Sequence, residues 1–466
     1  MSGRADQWVA DQLWAEDLAM ALVDAARKVG AAACDATVGL SASLQASARD
    51  GAVEDVTRSQ SRSAALRVIV DGKLGLATSS DAPTTAADIE ELARTAVGIA
   101  ALSSSSPHNV VLPGAQMTAN EVREAGEALR TWDDDTALLD PAWPVERALL
   151  TERVVRGHEG VSGVRDVSAG VRRGLFALAT STGFLGSMRG TTAQLSCSAV
   201  VEDGSKKQIE SWWSQARAMK GVQDAVVVAD LAARRALARR GARRVPSQSM
   251  PVIFDPNMTR AFFGGVLAVV SGEAVARKQS WLADAVGAKV MPAGLVLVDD
   301  PLLRGGFGSR VFDGEGQAAE KRVIVDDGGR LTGFLLDGRS AARLGLPNTG
   351  QAARGSTSLP HPAPTNTTLM GGSGDLAAIV GDTANGLLVT KLLGRGADAT
   401  TGDLSRGAAG FFVKDGAIAF PVEDLTIAGN AREMLLALDR VGADVDERSS
   451  LRVPSVRFAA LSVGGT

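Results

Sequence analysis

A chain of 466 residues exceeds what one hydrophobic core ordinarily serves, so two domains are expected. With 49 basic against 53 acidic residues the net charge is −4, too small to draw the chain to nucleic acid or an anionic membrane. Hydrophobic residues at 45% and charged residues at 22% are an ordinary globular balance, and the absence of tyrosine excludes tyrosine-based chemistry.

In chain order, Leu13 to Val29 places Leu18, Leu22, Ala25 and Val29 on one helical face, with Gly30 set to end it. Ala36 to Ala48 alternates loosely as a strand and Asp50-Gly51 turns it. Ala64 to Val70 and Leu74 to Thr78 then flank Asp71-Gly72, a strong hairpin signal. Thr85 with Asp88 forms a capping pair for a helix buried through Ile89, Leu92, Ala93, Ala96 and Ala100. Ser103 to Pro107 is a loop, Val145 to Arg156 a helix, Val164 to Trp213 a strand region cut by glycines, and Asp224 to Ala242 a helix.

Pro246-Ser247 marks a hinge between residues 1–245 and 246–466. Beyond it Pro251 to Asp255 is a strand and Thr259 to Arg277 the main helix. Short strands follow around Asp327-Gly328-Gly329, with Leu331 to Leu336 as a returning limb, and around Lys414-Asp415-Gly416. Val456 to Val463 closes the chain as a strand. The expected class is α+β: an N-terminal α/β domain, its sheet covered by helices, then a β-rich antiparallel domain.

Most motifs that could carry chemistry are missing. His108, His158 and His361 are the only histidines, none spaced with another as metal ligands, and there is no HExxH. No GxSxG elbow exists, and the glycine clusters at 305–308 and 371–374 lack the GK[ST] ending of a phosphate loop. The basic run from Arg234 to Arg244 has no interleaved aromatics. It reads as a solvated helix face or an inter-domain contact rather than a nucleic-acid surface. Trp212 and Trp213, adjacent in a strand, should point to opposite faces, with packing the main role. Cys34 and Cys197, outside any CxxC, are expected as two reduced buried thiols. Met1 to Trp14 lacks the pattern of a signal peptide and no apolar run of transmembrane length exists, so the expected location is the cytoplasm.

Five blocks in order resemble the TldD/PmbA family: Leu66–Gly75 (LRVIVDGKLG), Pro251–Pro256 (PVIFDP), Phe307–Gly316 (FGSRVFDGEG), Thr401–Phe411 (TGDLSRGAAGF) and Thr426–Asn430 (TIAGN). The resemblance implies a peptide-degrading complex of two subunit types, in which the TldD type carries HExxxH on a helix and a further cysteine ligand near its C-terminus. Two histidines can hold Zn²⁺ while the glutamate activates its water. This chain departs there. Against H-E-A-V-G-H it has Gly272 for the first histidine and Arg277 for the second, with Glu273 alone retained and no cysteine in the tail. A glycine offers no ligand and a guanidinium cannot coordinate zinc.

The segment Ser271 to Trp281 resembles instead the TldE (PmbA) type. The resemblance therefore implies a non-catalytic cytoplasmic subunit with vestigial positions Gly272, Glu273 and Arg277 and no catalytic, metal or cofactor residues of its own. Zinc is expected only in a TldD-type partner, and an extended peptide is the shared substrate. A homodimeric peptide-binding or chaperone-like module is the alternative, with neither nucleic acid nor membrane as partner. A third reading places unrelated chemistry at Glu273, Arg310, Asp313 and Glu315, against salt bridges and turn formation around Gly314 and Gly316.

Overall fold

The computed structural model describes residues 2–465, with side chains from Trp8 onward. Helix α1 (Ser2–Lys28) ends before Gly30, whose φ of +100° reverses the chain. Strands β1 (Ala33–Arg49), β2 (Ala52–Val70) and β3 (Lys73–Ser79) follow as a meander. Both hairpin turns, Asp50-Gly51 and Asp71-Gly72, hold their two central residues at positive φ, as tight right-twisted hairpins require. Helix α2 (Ala86–Leu102) opens on the expected capping box, Thr85 and Asp88 each accepting the other's backbone N–H. Helices α3 (Ala119–Ala128) and α4 (Asp134–Ala137) come next, then α5 (Ala142–Arg156), β4 (Gly163–Thr180), β5 (Leu185–Asp203), β6 (Lys206–Ala216) and α6 (Ala225–Leu237). The last helix stops five residues short of the expected Ala242.

The six strands form one antiparallel sheet in the order β3-β2-β1-β4-β5-β6. Its two faces are written on alternate residues. On one, Cys34, Ala36 and Val38 of β1 pack under α1 and α2, while Ala48, Ala169, Leu195 and Cys197 pack under α5 and α6. On the other lie Asp35, Thr37, Gly39, Ser41 and Ser43. Ser41 sits opposite Ser61 and Gly174, and Ser43 opposite Ser59 and Arg172. Burial pushes the unpaired thiols up, Cys34 to about 11 and Cys197 to about 12, so both stay protonated and inert.

The C-terminal half begins with β7 (Gln248–Phe254), α7 (Pro256–Val269) and α8 (Gly272–Ala276). The expected single helix Thr259–Arg277 is thus broken. Leu335 donates its N–H to Val270 O at 2.9 Å and accepts that of Gly272 at 2.7 Å, which draws Val270-Ser271 out of helical register. The same pairing explains why Leu331 to Leu336 is not a returning strand: it touches its hairpin partner only near Val325 and then leaves to meet Gly272. Then come β8 (Val296–Asp299), β9 (Arg322–Val325), α9 (Gly338–Leu344), β10 (Ala352–Ala353), β11 (His361–Pro362) and β12 (Thr367–Met370). The chain finishes with α10 (Leu376–Gly381), β13 (Asn385–Leu393), β14 (Asp403–Lys414), β15 (Ala417–Asn430), α11 (Ala431–Leu436), β16 (Leu438–Val441), β17 (Leu451–Arg452) and β18 (Val456–Gly464).

Six of these strands run in the order β15-β14-β13-β7-β18-β16, and β15 also pairs with β18, so five of them close on themselves. Phe254, Phe262 and Phe458 meet edge to face in this core at centroid distances of 5.0 to 6.4 Å. The order α/β sheet first, closed β-rich body second, is the expected α+β class.

The halves are joined by arginines. Arg239 is buried and donates to Gly410 O and Val422 O, and Arg235 and Arg244 reach Asp255 and Asp424 at 3.4 Å. The basic run is therefore largely an inter-half latch. Trp212, opposite Cys197, packs on the core of the helix-covered face and Trp213, opposite Ser196, belongs to the other, as expected; beyond that, both rings flank the guanidinium of Arg448, at 4.1 and 4.7 Å, which also donates to Trp213 O.

Candidate functional site

Glu273 lies on α8 and its carboxylate meets the guanidinium of Arg277 one turn on, at 2.5 Å, both side chains being substantially exposed. Gly272 is buried. A Cβ built there would come within 2.3 Å of Leu336 and 2.7 Å of the Ser340 hydroxyl. The space a ligand side chain would cross is thus filled by α9 and the segment before it. Position 277 presents a cation already engaged by the only carboxylate nearby on the helix. These residues do not fit a metal ion, and among the described residues no three His, Cys, Asp or Glu side chains converge as a ligand set.

The remaining candidates come together elsewhere, where the loop 307–316 meets the sheet. Asp313 accepts backbone N–H groups from Glu315, Gln317 and Ala352 at 2.8 to 3.0 Å, the turn-forming role its glycine neighbours suggested. Arg310 donates to Ala352 O and leaves Nε and Nη2 without partners. Glu315 is buried, accepts the Gly338 N–H at 2.7 Å and faces Arg67 at 3.5 Å. Arg67 in turn grips Asp35, which Arg354 holds from the other side at 2.6 Å. Burial pushes the Asp35 carboxyl up, but Arg354 and Arg67 outweigh it and hold it low. At Glu315 burial wins over Arg67 and raises the carboxyl to about 7, with Asp313 adding to the rise. Glu273 is not part of this cluster; α9 stands between them, its N-terminal Gly338 on Glu315 and its Ser340 against Gly272.

Sequence reasoning missed Asp35, Arg67 and Arg354. A charged residue amid Ala and Val in β1, opposite an arginine in β2, was the available signal, since burial of such a pair demands a partner.

The histidines stay apart. His158 Nε2 bonds Asp230 at 2.7 Å, and His361 is exposed on the short strand β11, paired with Ala353.

The serine- and glycine-bearing face of the first sheet forms the floor of a cleft of about 490 Å³, roofed by Ser309, Gly355 and Ser356. Thr37 donates to Ser356 O, and the Ser63 and Ser356 hydroxyls lie 2.6 Å apart, pinning the roof at one end. A second cavity of about 410 Å³ continues past Arg172 and Thr192 to Gln215 and Phe307. Small side chains at alternate strand positions make this room. The period-two serines of Ser59-Gln60-Ser61-Arg62-Ser63 and Ser41-Ala42-Ser43 were its sequence trace.

Comparison with known proteins agrees with this architecture. Residues 34–100, 134–240 and 247–465 match domain 1, the central domain and the C-terminal domain of the PmbA/TldA metallopeptidases. The "Metalloprotease PmbA" of Escherichia coli is 30% identical, covering 91% of this chain and 90% of that protein. The "Metalloprotease PmbA homolog" of Haemophilus influenzae is 29% identical over 95% of this chain and 94% of its own. The crystal structure of TldE from Thermococcus kodakarensis shares the fold at a TM-score of 0.84 and 21% identity, covering 95% of this chain and 99% of that one. From the α+β architecture, the ordered sequence blocks and these matches along nearly the whole length, the chain belongs to the PmbA/TldD metallopeptidase family.

Proposed function

We propose that this chain is the non-catalytic, TldE/PmbA-type subunit of a cytoplasmic TldD–TldE metallopeptidase pair that degrades or processes unfolded and small peptides. The observation that carries the reading is α8: Gly272 has no room for a ligand side chain, and Glu273 is tied to Arg277 instead of facing a metal-bound water. On this reading zinc and the hydrolytic step belong to a partner bearing HExxxH, and this chain contributes surface that encloses the peptide. Two features support that role. The half of β2 from Ala52 to Ser61 is exposed and pairs only with β1, because Arg62 already accepts the Ala82 N–H and β3 begins its pairing at Ala64, so one backbone edge is free to add an extended strand. The cleft on the adjoining face is large enough for side chains of such a strand.

The test is zinc content and peptidase activity of the purified chain, alone and mixed with an HExxxH-bearing family member. Absence of zinc and activity alone, with association and hydrolysis in the mixture, is expected. Stoichiometric zinc or hydrolysis by this chain alone overturns the proposal, as does full activity of the partner without it.

A further inference from the structure

The cleft has an uneven charge. Among the described residues lining it and its continuation there is no carboxylate, whereas Arg172, Arg189 and Arg217 are all present. Arg172 and Arg217 stand on the serine-bearing face: Arg172 opposite Ser43, and Arg217 over Gly190, where a Cβ would lie 3.2 Å from its Nη1. Arg189 is at the rim, its guanidinium 4.8 Å from the Trp132 ring centroid and already paired with Glu127 at 3.8 Å, which leaves Arg172 and Arg217 as the cleft's unbalanced cations.

The two facing arginines are differently prepared. Arg172 is exposed and makes no ion pair among the described residues. Arg217 is largely buried. It donates to Thr191 O and Gly306 O, lies over Phe307, and leaves a buried Nε with no partner. Burial with no carboxylate nearby lowers it to about 10, so it is still a cation at neutral pH. A desolvated guanidinium without a counter-ion is an unfinished site: an anion in the cleft supplies the charge it lacks. The hydroxyls of Ser41, Thr192 and Ser356, which line the same cleft, suit a small oxyanion rather than an extended polyanion, and Phe176 walls the floor.

We infer that this cleft is a carboxylate-binding subsite for peptide, with Arg172 and Arg217 as its cationic walls and the surrounding hydroxyls as its donors. The inference rests on the peptide-handling reading and adds to it a preference: acidic side chains or a free C-terminus are held here, and basic peptides are turned away. A planar guanidinium pair fits carboxylate oxygens with two N–H donors each, which gives orientation as well as attraction.

The test is fluorescence anisotropy of the full-length chain with four labelled heptapeptides of one Ala/Ser backbone: neutral and amidated, neutral with a free C-terminus, amidated with a central Glu, and amidated with a central Lys. One or both carboxylate-bearing peptides are expected to bind about fivefold or more tighter than the neutral amidated one, with the advantage shrinking as salt rises. Which of the two does so tells a terminal from a side-chain carboxylate. Arg172→Glu, at an exposed position that leaves folding intact, is expected to abolish the advantage; Arg217→Lys, which keeps charge but loses the fork, to weaken it. Equal binding of all four peptides, or an advantage untouched by Arg172→Glu, overturns the carboxylate subsite and leaves the peptide-handling reading standing. A single-stranded oligonucleotide that outcompetes the acidic peptide overturns it in favour of a polyanion surface. Failure of every peptide to bind, both to the chain alone and to its mixture with an HExxxH-bearing partner, overturns both readings.

Discussion

Glu315 is neutral over part of the physiological range because its site is dry, and that gives the protein a dependence on pH. In the unfolded chain the carboxyl titrates near 4.5; in the folded protein it does so near 7. Below 4.5 it is protonated in both states and its contribution is fully present. As pH rises through about 7 the unfolded chain has already ionised, and the contribution is lost, on the order of 3 kcal/mol in all. Glu315→Gln keeps an acceptor for the Gly338 N–H, and urea titrations across pH 4.5 to 8 are expected to show a flatter stability profile for it than for the parent. At position 272 the expectation is steric. Gly272→His must displace Leu336 and Ser340, costing about 1–3 kcal/mol, and is expected to lower the denaturation midpoint without recruiting zinc by atomic absorption. Restored zinc binding by that single substitution would show that α9 yields more easily than its packing implies.

Elements were legible where a local pattern decides them. The hairpin dipeptides, the Thr85–Asp88 cap and the alanine stripe of α2 act over a few residues, and each is found where the sequence places it. What was not legible was decided from afar. The break between α7 and α8 is made by Leu335, more than sixty positions away, and its one local sign is Ser271-Gly272, a turn dipeptide whose serine is the N-cap of α8. Helices α3 and α4 are short, with few buried residues, so they leave almost no periodic trace, although Thr118 and Glu121 do form a capping box. Gly75 illustrates a close approach between elements. A Cβ there would lie 2.0 Å from Ala96 O and 2.7 Å from Ala100 N, because α2 rests directly on β3. Gly75→Ala is expected to push α2 from the sheet and cost about 1–3 kcal/mol, read as a lower urea midpoint. A neutral outcome would mean that α2 is loosely held.

At the scale of the molecule, the halves meet through buried ions as well as through an apolar seam, in which Val311 and Phe312 pack on Leu178 and Phe184. Asp35 and Arg67 belong to the first sheet and Glu315 and Arg354 to the second half, and the ion pairs among them span the boundary. Breaking such a pair strands a charge in a dry place. Arg354→Met is expected to cost about 3–5 kcal/mol. It should also split one unfolding transition into two when tryptophan fluorescence and circular dichroism are followed together. A single coincident transition of unchanged midpoint would show that Arg67 alone suffices for Asp35. The sequence carried the α+β order of the halves because each half has its own hydrophobic pattern. It did not carry the cluster, whose pairs across the boundary join residues 248 and 319 positions apart in the chain, nor the cleft, whose roof comes from the opposite half.

The alternating faces of the first sheet set what kinds of change the protein tolerates. Alanines and leucines at one parity answer to the helices, and serines, glycines and arginines at the other answer to the cleft, on the same strands. Substitutions at cleft parity can therefore retune what is held without disturbing the packed side. A single-residue deletion inside β1 would turn Ala42 and Leu44 outward and bring Ser41 and Ser43 under the helices, losing both faces at once. Drift among relatives should accordingly proceed by replacement within these strands, with gains and losses of length confined to the turns at Asp50-Gly51 and Asp71-Gly72.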